Sequence, residues 1–221
     1  MPQIGVFDVV GPIMVGPSSS HTAGAVRLGL AARKILGEAV KSAEIGLHGS
    51  FAATYWGHRT DVAILAGLLG MAMDDPRIPA AEELADKAGL TYGFQTVDLG
   101  DVHPNSVQMR VKGERSSAEV IGASTGGGRI LITSIDQFPV AIEGTYTVLL
   151  AKYQDQPGVV AEVTRILADF GINIAFMNVS RKMRGSTALL VAETDDPIAR
   201  EVLEQVQSLQ KGITARVLPS F

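Results

Sequence analysis

Five consecutive side chains carry the densest chemistry in this sequence: Ser18, Ser19, Ser20, His21 and Thr22, set between Gly16 and Gly24. Hydroxyls beside an imidazole can hold an anion and move a proton, because an unperturbed histidine changes charge near neutral pH. The same logic recurs at Gly57-His58-Arg59-Thr60-Asp61, where Asp61 could hold His58 in one tautomer if a local turn brings the two together. Each segment also has a plainer reading. The first could be a serine-rich helix cap with a solvated histidine, the second a histidine packed on Trp56 or paired with Asp61. His103-Pro104-Asn105-Ser106 and Ser124-Thr125-Gly126-Gly127-Gly128 add further polar groups. The three glycines either let a backbone approach a ligand closely or form a flexible hairpin tip. A strand follows them rather than a helix, so they are not a dinucleotide fingerprint. His48, on an apolar strand, reads as a structural histidine.

These residues need elements to position them. Ser18, Ser19, Ser20 and Thr22 are N-cap types ahead of an apolar-periodic run from Ala25 to Leu36, which stops at Gly37. The segment reads as a loop feeding a helix N-terminus, whose unpaired N–H groups and positive dipole end suit a carboxylate or phosphate. Ala43 to Phe51 leans to β structure. Thr60 then opens an apolar helix reaching Met73, so two histidines are expected at two helix entrances. Pro79 to Ala88 is a third helix, with Gly89 at its stop. From Leu90 to Glu143 the pattern is β, with a hairpin through Lys112-Gly113-Glu114-Arg115, and Ile4 to Val10 is a short strand or buried loop. Phe138 to Gly144 reads as a linker or an edge strand.

Beyond Gly144 the pattern is cleaner. Strands are expected at Tyr146 to Tyr153, up to Ser180, Ser186 to Glu193 and Ile213 to Leu218. Helices are expected at Val159 to Phe170 and from Asp196-Pro197 to about Leu209. This is β-α-β-β-α-β, the ferredoxin-like plan. The fold class is therefore α+β, with a helix-plus-sheet domain over residues 1–144 and a ferredoxin-like domain over 145–221.

Composition narrows the function. The 221 residues are 46% hydrophobic and 19% charged, ordinary for a soluble globular chain. A net charge of -4 without a basic block argues against a nucleic-acid partner. Met1 to Val10 lacks the pattern of a signal peptide, and Val62 to Met73 is too short to span a bilayer, so no membrane and a cytoplasmic location are expected. The chain has no cysteine, so it holds no disulfide, no Cys-ligated zinc and no iron–sulfur cluster on its own thiolates.

Two resemblances add to this reading. Asp155-Gln156-Pro157-Gly158-Val159-Val160 with Gly171-Ile172-Asn173-Ile174 resembles the ACT domain, a small module that binds amino acids and regulates their metabolic enzymes. The resemblance implies a homodimer through this domain and an effector site at Asp155, Pro157, Gly158, Asn173 and Ile174, or dimerisation alone. The first half, through the Gly-Pro-Ser-Ser-Ser-His-Thr segment, Gly57 to Asp61, His103-Pro104-Asn105 and the Gly126 to Gly128 loop, resembles the β subunit of iron–sulfur-dependent L-serine dehydratases. That family deaminates L-serine to pyruvate and ammonia with a [4Fe-4S] cluster whose cysteines lie on an α subunit or an α-like half of a fused chain. The resemblance implies a cysteine-bearing α partner, no metal ligands here and little activity of the chain alone. It implies acid-base or orienting roles for His21 and His58, with Ser18, Ser19, Ser20, Thr22, Asp61, Asn105, Gly126 and Gly127 binding substrate. The first domain also resembles the substrate-binding-like domain of some phosphoglycerate dehydrogenases, which implies the competing role of a regulatory amino-acid or anion sensor. A stand-alone pyridoxal phosphate dehydratase fits poorly, since no lysine sits in an evident apolar catalytic setting.

Overall fold

The computed structural model describes residues Ile13 to Phe221, so the strand or buried loop expected at Ile4 to Val10 lies outside the described residues. The chain divides into two compact units. One runs through Gln137 and includes Ala141–Glu143, and the other comprises Phe138–Val140 and Gly144–Phe221.

In the first unit a π-helical turn, Ser19–Ala23, leads directly into α1 (Gly24–Leu36), and Gly37 ends that helix in the left-handed region at φ 79°. Next come β1 (Ser42–Leu47), α2 (Gly49–His58), α3 (Thr60–Leu68), a short 3-10 turn (Ile78–Ala80) and α4 (Ala81–Lys87). Five further strands follow in the six-stranded sheet: β2 (Thr91–Thr96), β3 (Ser106–Lys112), β4 (Ser117–Gly126), β5 (Arg129–Ile135) and β6 (Phe138–Ile142), of which Phe138–Val140 are the residues grouped with the second unit. The strand order is β2-β1-β3-β4-β5-β6, with β1 and β2 parallel and the β1–β3, β3–β4 and β4–β5 pairs antiparallel. The β3–β4 hairpin forms where expected, and Glu38 clasps its turn. The Glu38 carboxylate accepts from the amides of Glu114, Arg115 and Ser116 and from the Ser116 hydroxyl, which holds its pKa down at about 2.

The helices lie in layers because of their composition. All nine residues of α3 are buried, as a helix without a polar face must be. It packs on α1, which in turn packs on β3, β4 and β5. The α1–α3 crossing is close because Gly29 and Gly67 meet there. A β-carbon on Gly67 would overlap the Val26 carbonyl oxygen, and one on Gly29 the Ile64 carbonyl oxygen. Gly122 on β4 makes room for Leu28 in the same way, at 2.8 Å from a hypothetical β-carbon.

Three expected boundaries move. Residues 49–58 are helical rather than the end of a strand and a loop, because Gly49 turns the chain at φ 54° and the Pro104 carbonyl accepts the Ser50 amide at 2.8 Å. The helix expected to reach Met73 stops at Leu68, with Gly70 in the left-handed region beyond it. The expected Pro79 helix divides into the 3-10 turn and α4.

The second unit holds β7 (Thr147–Gln154), α5 (Val159–Asp169), β8 (Ile174–Arg181), β9 (Thr187–Thr194), α6 (Arg200–Ser208) and β10 (Thr214–Leu218). The sheet order is β10-β7-β9-β8, antiparallel throughout. This is the ferredoxin-like βαββαβ arrangement. Val163, Leu167, Val202 and Val206 from the two helices close over Leu149, Ala151, Leu190 and Ala192 of the sheet. The second helix begins at Arg200, later than Asp196-Pro197, because Thr194 Oγ1 donates to the Asp196 carbonyl at 2.8 Å and holds that stretch as a turn.

Candidate functional site

The π turn at the head of α1 builds the centre of the site. Ser18 caps it: its hydroxyl accepts the His21 amide at 3.1 Å, and its carbonyl accepts the amides of Thr22 and Ala23 at 2.9 and 3.2 Å. The amides of Ser19 and Ser20 stand in the first turn, where no intrahelical acceptor exists and the dipole is positive. Ser18, Ser19 and Ser20 are partly exposed there. Thr22 departs from the expected set, since it is buried against Gly16 and its hydroxyl does not reach the mouth.

His21 is held from two sides. Its Nδ1 lies 3.0 Å from the Ser20 hydroxyl, and its Nε2 lies 3.1 Å from the hydroxyl of Ser50 on α2. Phe51, fully buried, meets the ring edge-on at a centroid distance of 5.2 Å. The His58 ring lies against the other side, 4.8 Å between centroids and tilted by 33°. Burial, and secondly the neighbouring His58, lower the His21 pKa below 6.5, so the imidazole is predominantly neutral at pH 7. Two unit positive charges at that separation would repel by about 1 kcal/mol in water and about 3 kcal/mol at an effective dielectric of 20, so double protonation of the pair is disfavoured.

His58 is not at a helix entrance in the way its sequence suggested. It is the last residue of α2, and a single left-handed residue, Arg59 at φ 55°, separates it from α3. Its Nδ1 lies 3.4 Å from the Thr54 carbonyl one turn back. It makes no ion pair with Asp61, which is buried on α3 with Oδ1 lacking a hydrogen-bond partner among the described residues. The expected tautomer clamp is therefore a carbonyl instead of a carboxylate. Thr60 makes no side-chain cap either, and its hydroxyl is buried and unpaired among the described residues.

The β3 and β4 side supports this centre. The Pro104 carbonyl accepts the amides of Ser50 and Phe51 at 2.8 and 3.4 Å, and Asn105 lies next in sequence, its carbonyl accepting the Ser124 amide at 3.0 Å. Ser124 is fully buried against Gly24, where a β-carbon would overlap its hydroxyl. Gly126 ends β4 at φ 96°, Gly127 and Gly128 form the β4–β5 turn at φ 60° and 76°, and Arg27 of α1 donates to the Gly128 carbonyl at 2.8 Å. Ser50 was not singled out from sequence, and Ser124 was noted only as part of its Gly-rich segment. Ser50 follows a histidine and a glycine, a signal of a turn that carried no pointer to a ring 29 residues away. His48, expected on an apolar strand, lies just past β1 at the N-cap of α2, and its Nδ1 accepts the Leu99 amide at 3.2 Å.

In the second unit the proposed effector residues are partly engaged by the fold. Asp155 accepts from the Gly185 amide at 3.0 Å and from Arg181 at 2.7 Å, and these bonds lower its pKa. Gly158 caps α5 at φ 96°, Pro157 is exposed, Asn173 donates to Asp195 at 2.9 Å, and Ile174 packs against the core.

The chain has no cysteine, and among the described residues no group of three His, Asp or Glu side chains could hold an ion. Its own side chains therefore do not fit an iron–sulfur cluster.

Comparison with known proteins agrees with this architecture. The family profile described as "Serine dehydratase beta chain" matches residues 5–93, and the profile described as "ACT domain" matches residues 147–210. The chain is 41% identical to the "Probable L-serine dehydratase, beta chain" of Bacillus subtilis, over 92% of this chain and 93% of that one. It is 39% identical to the "L-serine dehydratase, beta chain" of Peptoniphilus asaccharolyticus, over 98% of both. A "D-3-phosphoglycerate dehydrogenase" of Synechocystis is 26% identical over 66% of this chain and 26% of its own length. The chain belongs to the L-serine dehydratase beta-chain family, with an ACT domain in its second unit. Among the described residues no helix is long and apolar enough to cross a membrane.

Proposed function

We propose that this chain supplies the substrate-binding and acid-base groups of a heteromeric L-serine dehydratase whose [4Fe-4S] cluster is held by a separate, cysteine-bearing α subunit. The observation that carries the reading is the His21–His58 pair, 4.8 Å apart, at a serine-capped helix N-terminus. The reaction removes the α proton and the β hydroxide from L-serine. Water then adds and ammonia leaves, giving pyruvate. Ser18, Ser19 and Ser20, with the first-turn amides, receive the substrate carboxylate, and Asn105 with Gly126 and Gly127 borders the same side. A neutral imidazole of the pair takes the α proton. Any Lewis-acid help to the leaving hydroxide belongs to the partner's cluster, and no step on this chain passes through it.

The second unit pairs with a copy of itself through β8, an edge strand with exposed Phe176, Met177 and Val179. A second reading, a regulatory amino-acid sensor that does no chemistry, draws on the likeness to the Synechocystis dehydrogenase. The deciding experiment is anaerobic pyruvate release from L-serine by this chain alone and by its mixture with the α subunit and a reconstituted cluster. Activity in the mixture only is expected. Serine binding to the isolated chain with activity in neither sample would favour the sensor.

A further inference from the structure

The hydroxyls around His21 form a chain with a fixed number of protons to share. Ser18 Oγ lies 3.3 Å from Ser20 Oγ, Ser20 Oγ lies 3.0 Å from His21 Nδ1, and His21 Nε2 lies 3.1 Å from Ser50 Oγ. Ser18 Oγ also accepts the His21 amide at 3.1 Å, so the backbone ties one end of the chain to the residue in its middle. A hydroxyl has one proton, and a neutral imidazole has one N–H and one lone pair. With the ring proton on Nε2, Ser20 must donate to Nδ1 and Ser18 must donate to Ser20, so both serine protons are spent inside the chain. With the proton on Nδ1, the ring itself donates to Ser20 and one serine proton is left over for the mouth. In that state Nε2 is an acceptor, and Ser50 must donate to it.

We infer that these four residues act as one proton-ordered chain: a carboxylate that takes a hydroxyl proton from Ser18 or Ser20 selects the Nδ1–H tautomer of His21, and Ser50 is the positioning residue that stabilises it by donating to Nε2. This coupling rests on the reading that the serines receive a carboxylate, and adds the ring that senses it and the donor that the ring then needs. Ser50 is fixed for that part by contacts outside the serine turn. Gly49, left-handed at φ 54°, brings Ser50 onto Pro104, whose carbonyl accepts the Ser50 amide at 2.8 Å. A β-carbon on Gly49 would lie 2.7 Å from that carbonyl oxygen. The Ser50 carbonyl in turn accepts the Thr54 hydroxyl at 2.8 Å.

The first test is imidazole nitrogen NMR of the isolated full chain titrated with acetate, a bare carboxylate. Acetate is expected to move His21 toward the Nδ1–H tautomer in the wild type and to leave it unchanged in Ser20→Ala, where the chain is cut. A His21 tautomer that ignores acetate in the wild type, or follows it equally in Ser20→Ala, overturns the inference. The second test is a double-mutant cycle on the KM for L-serine in the assembled enzyme. Ser50→Ala should raise KM by about threefold to tenfold, the span of one net hydrogen bond, and Ser50→Thr, which keeps the hydroxyl, should recover most of the loss. On a Ser20→Ala background, Ser50→Ala should add less than about twofold. Ser20 and Ser50 sit on opposite ring nitrogens, so a hydroxyl at 50 that only held the ring in place would give its full effect on both backgrounds. That additivity would sink the inference alone. An unchanged KM in both Ser18→Ala and Ser20→Ala would take the carboxylate off the serines and remove the underlying reading together with the coupling.

Discussion

His21 shows how a single side chain acquires its chemistry from what surrounds it. Its ring is faced by Ser20, Ser50, Phe51 and His58, and only the last can carry charge. Burial is the larger cause of its lowered pKa and the His58 charge the smaller. Replacing His58 by Ala should therefore move the His21 pKa upward, part of the way to 6.5, as read by an NMR titration. Because the folded pKa lies below the unfolded one, the neutral ring favours the fold. That contribution is fully present above pH 6.5 and is lost as pH falls through the lowered value. A His21 pKa that stays put in His58→Ala would mean the rings do not sense each other's charge.

At the scale of elements, the site depends on how closely helices can approach. The π turn and α3 reach each other only because α1 and α3 cross at Gly29 and Gly67, where backbone meets backbone. Gly67→Ala should cost about 1 to 3 kcal/mol, the usual range for an added methyl that well-packed neighbours must yield to. The measurement is the urea midpoint of the full chain at neutral pH, and an unchanged midpoint would mean the crossing can open freely. Much of this level was legible beforehand. Ala25 to Leu36 and its Gly37 stop, the 112–115 hairpin and the strands after Gly144 follow from periodicity and turn residues, which are local signals. The helix at residues 49–58 was not legible. Its start is stabilised by the Pro104 carbonyl, 54 positions from Ser50 in the chain, and no window of sequence contains both.

The chain comprises two compact units of different architecture. The first carries the histidine pair, and the second presents an edge strand. Phe176 is 61% exposed on β8, a large apolar side chain left uncovered on the edge strand of its sheet. Phe176→Glu should convert a dimer to a monomer in sedimentation equilibrium, since a buried unpaired carboxylate opposes the contact. A dimer that survives the change would place the self-association elsewhere.

The sequence by itself determined the class of fold, the helix-capping serines, the absence of thiolate ligands and the two histidines worth attention. All of these depend on residue type and on spacing within one or two turns of chain. Only the tertiary structure decided that His21 and His58 face each other, that Ser50 bonds His21 and that Asp61 makes no ion pair with His58. It also decided that Thr22 turns inward and that Asp155 is spent on Arg181 and Gly185. Those outcomes depend on which donor and acceptor arrive at one point from distant segments. Packing fixes that meeting, and a one-dimensional pattern does not encode it.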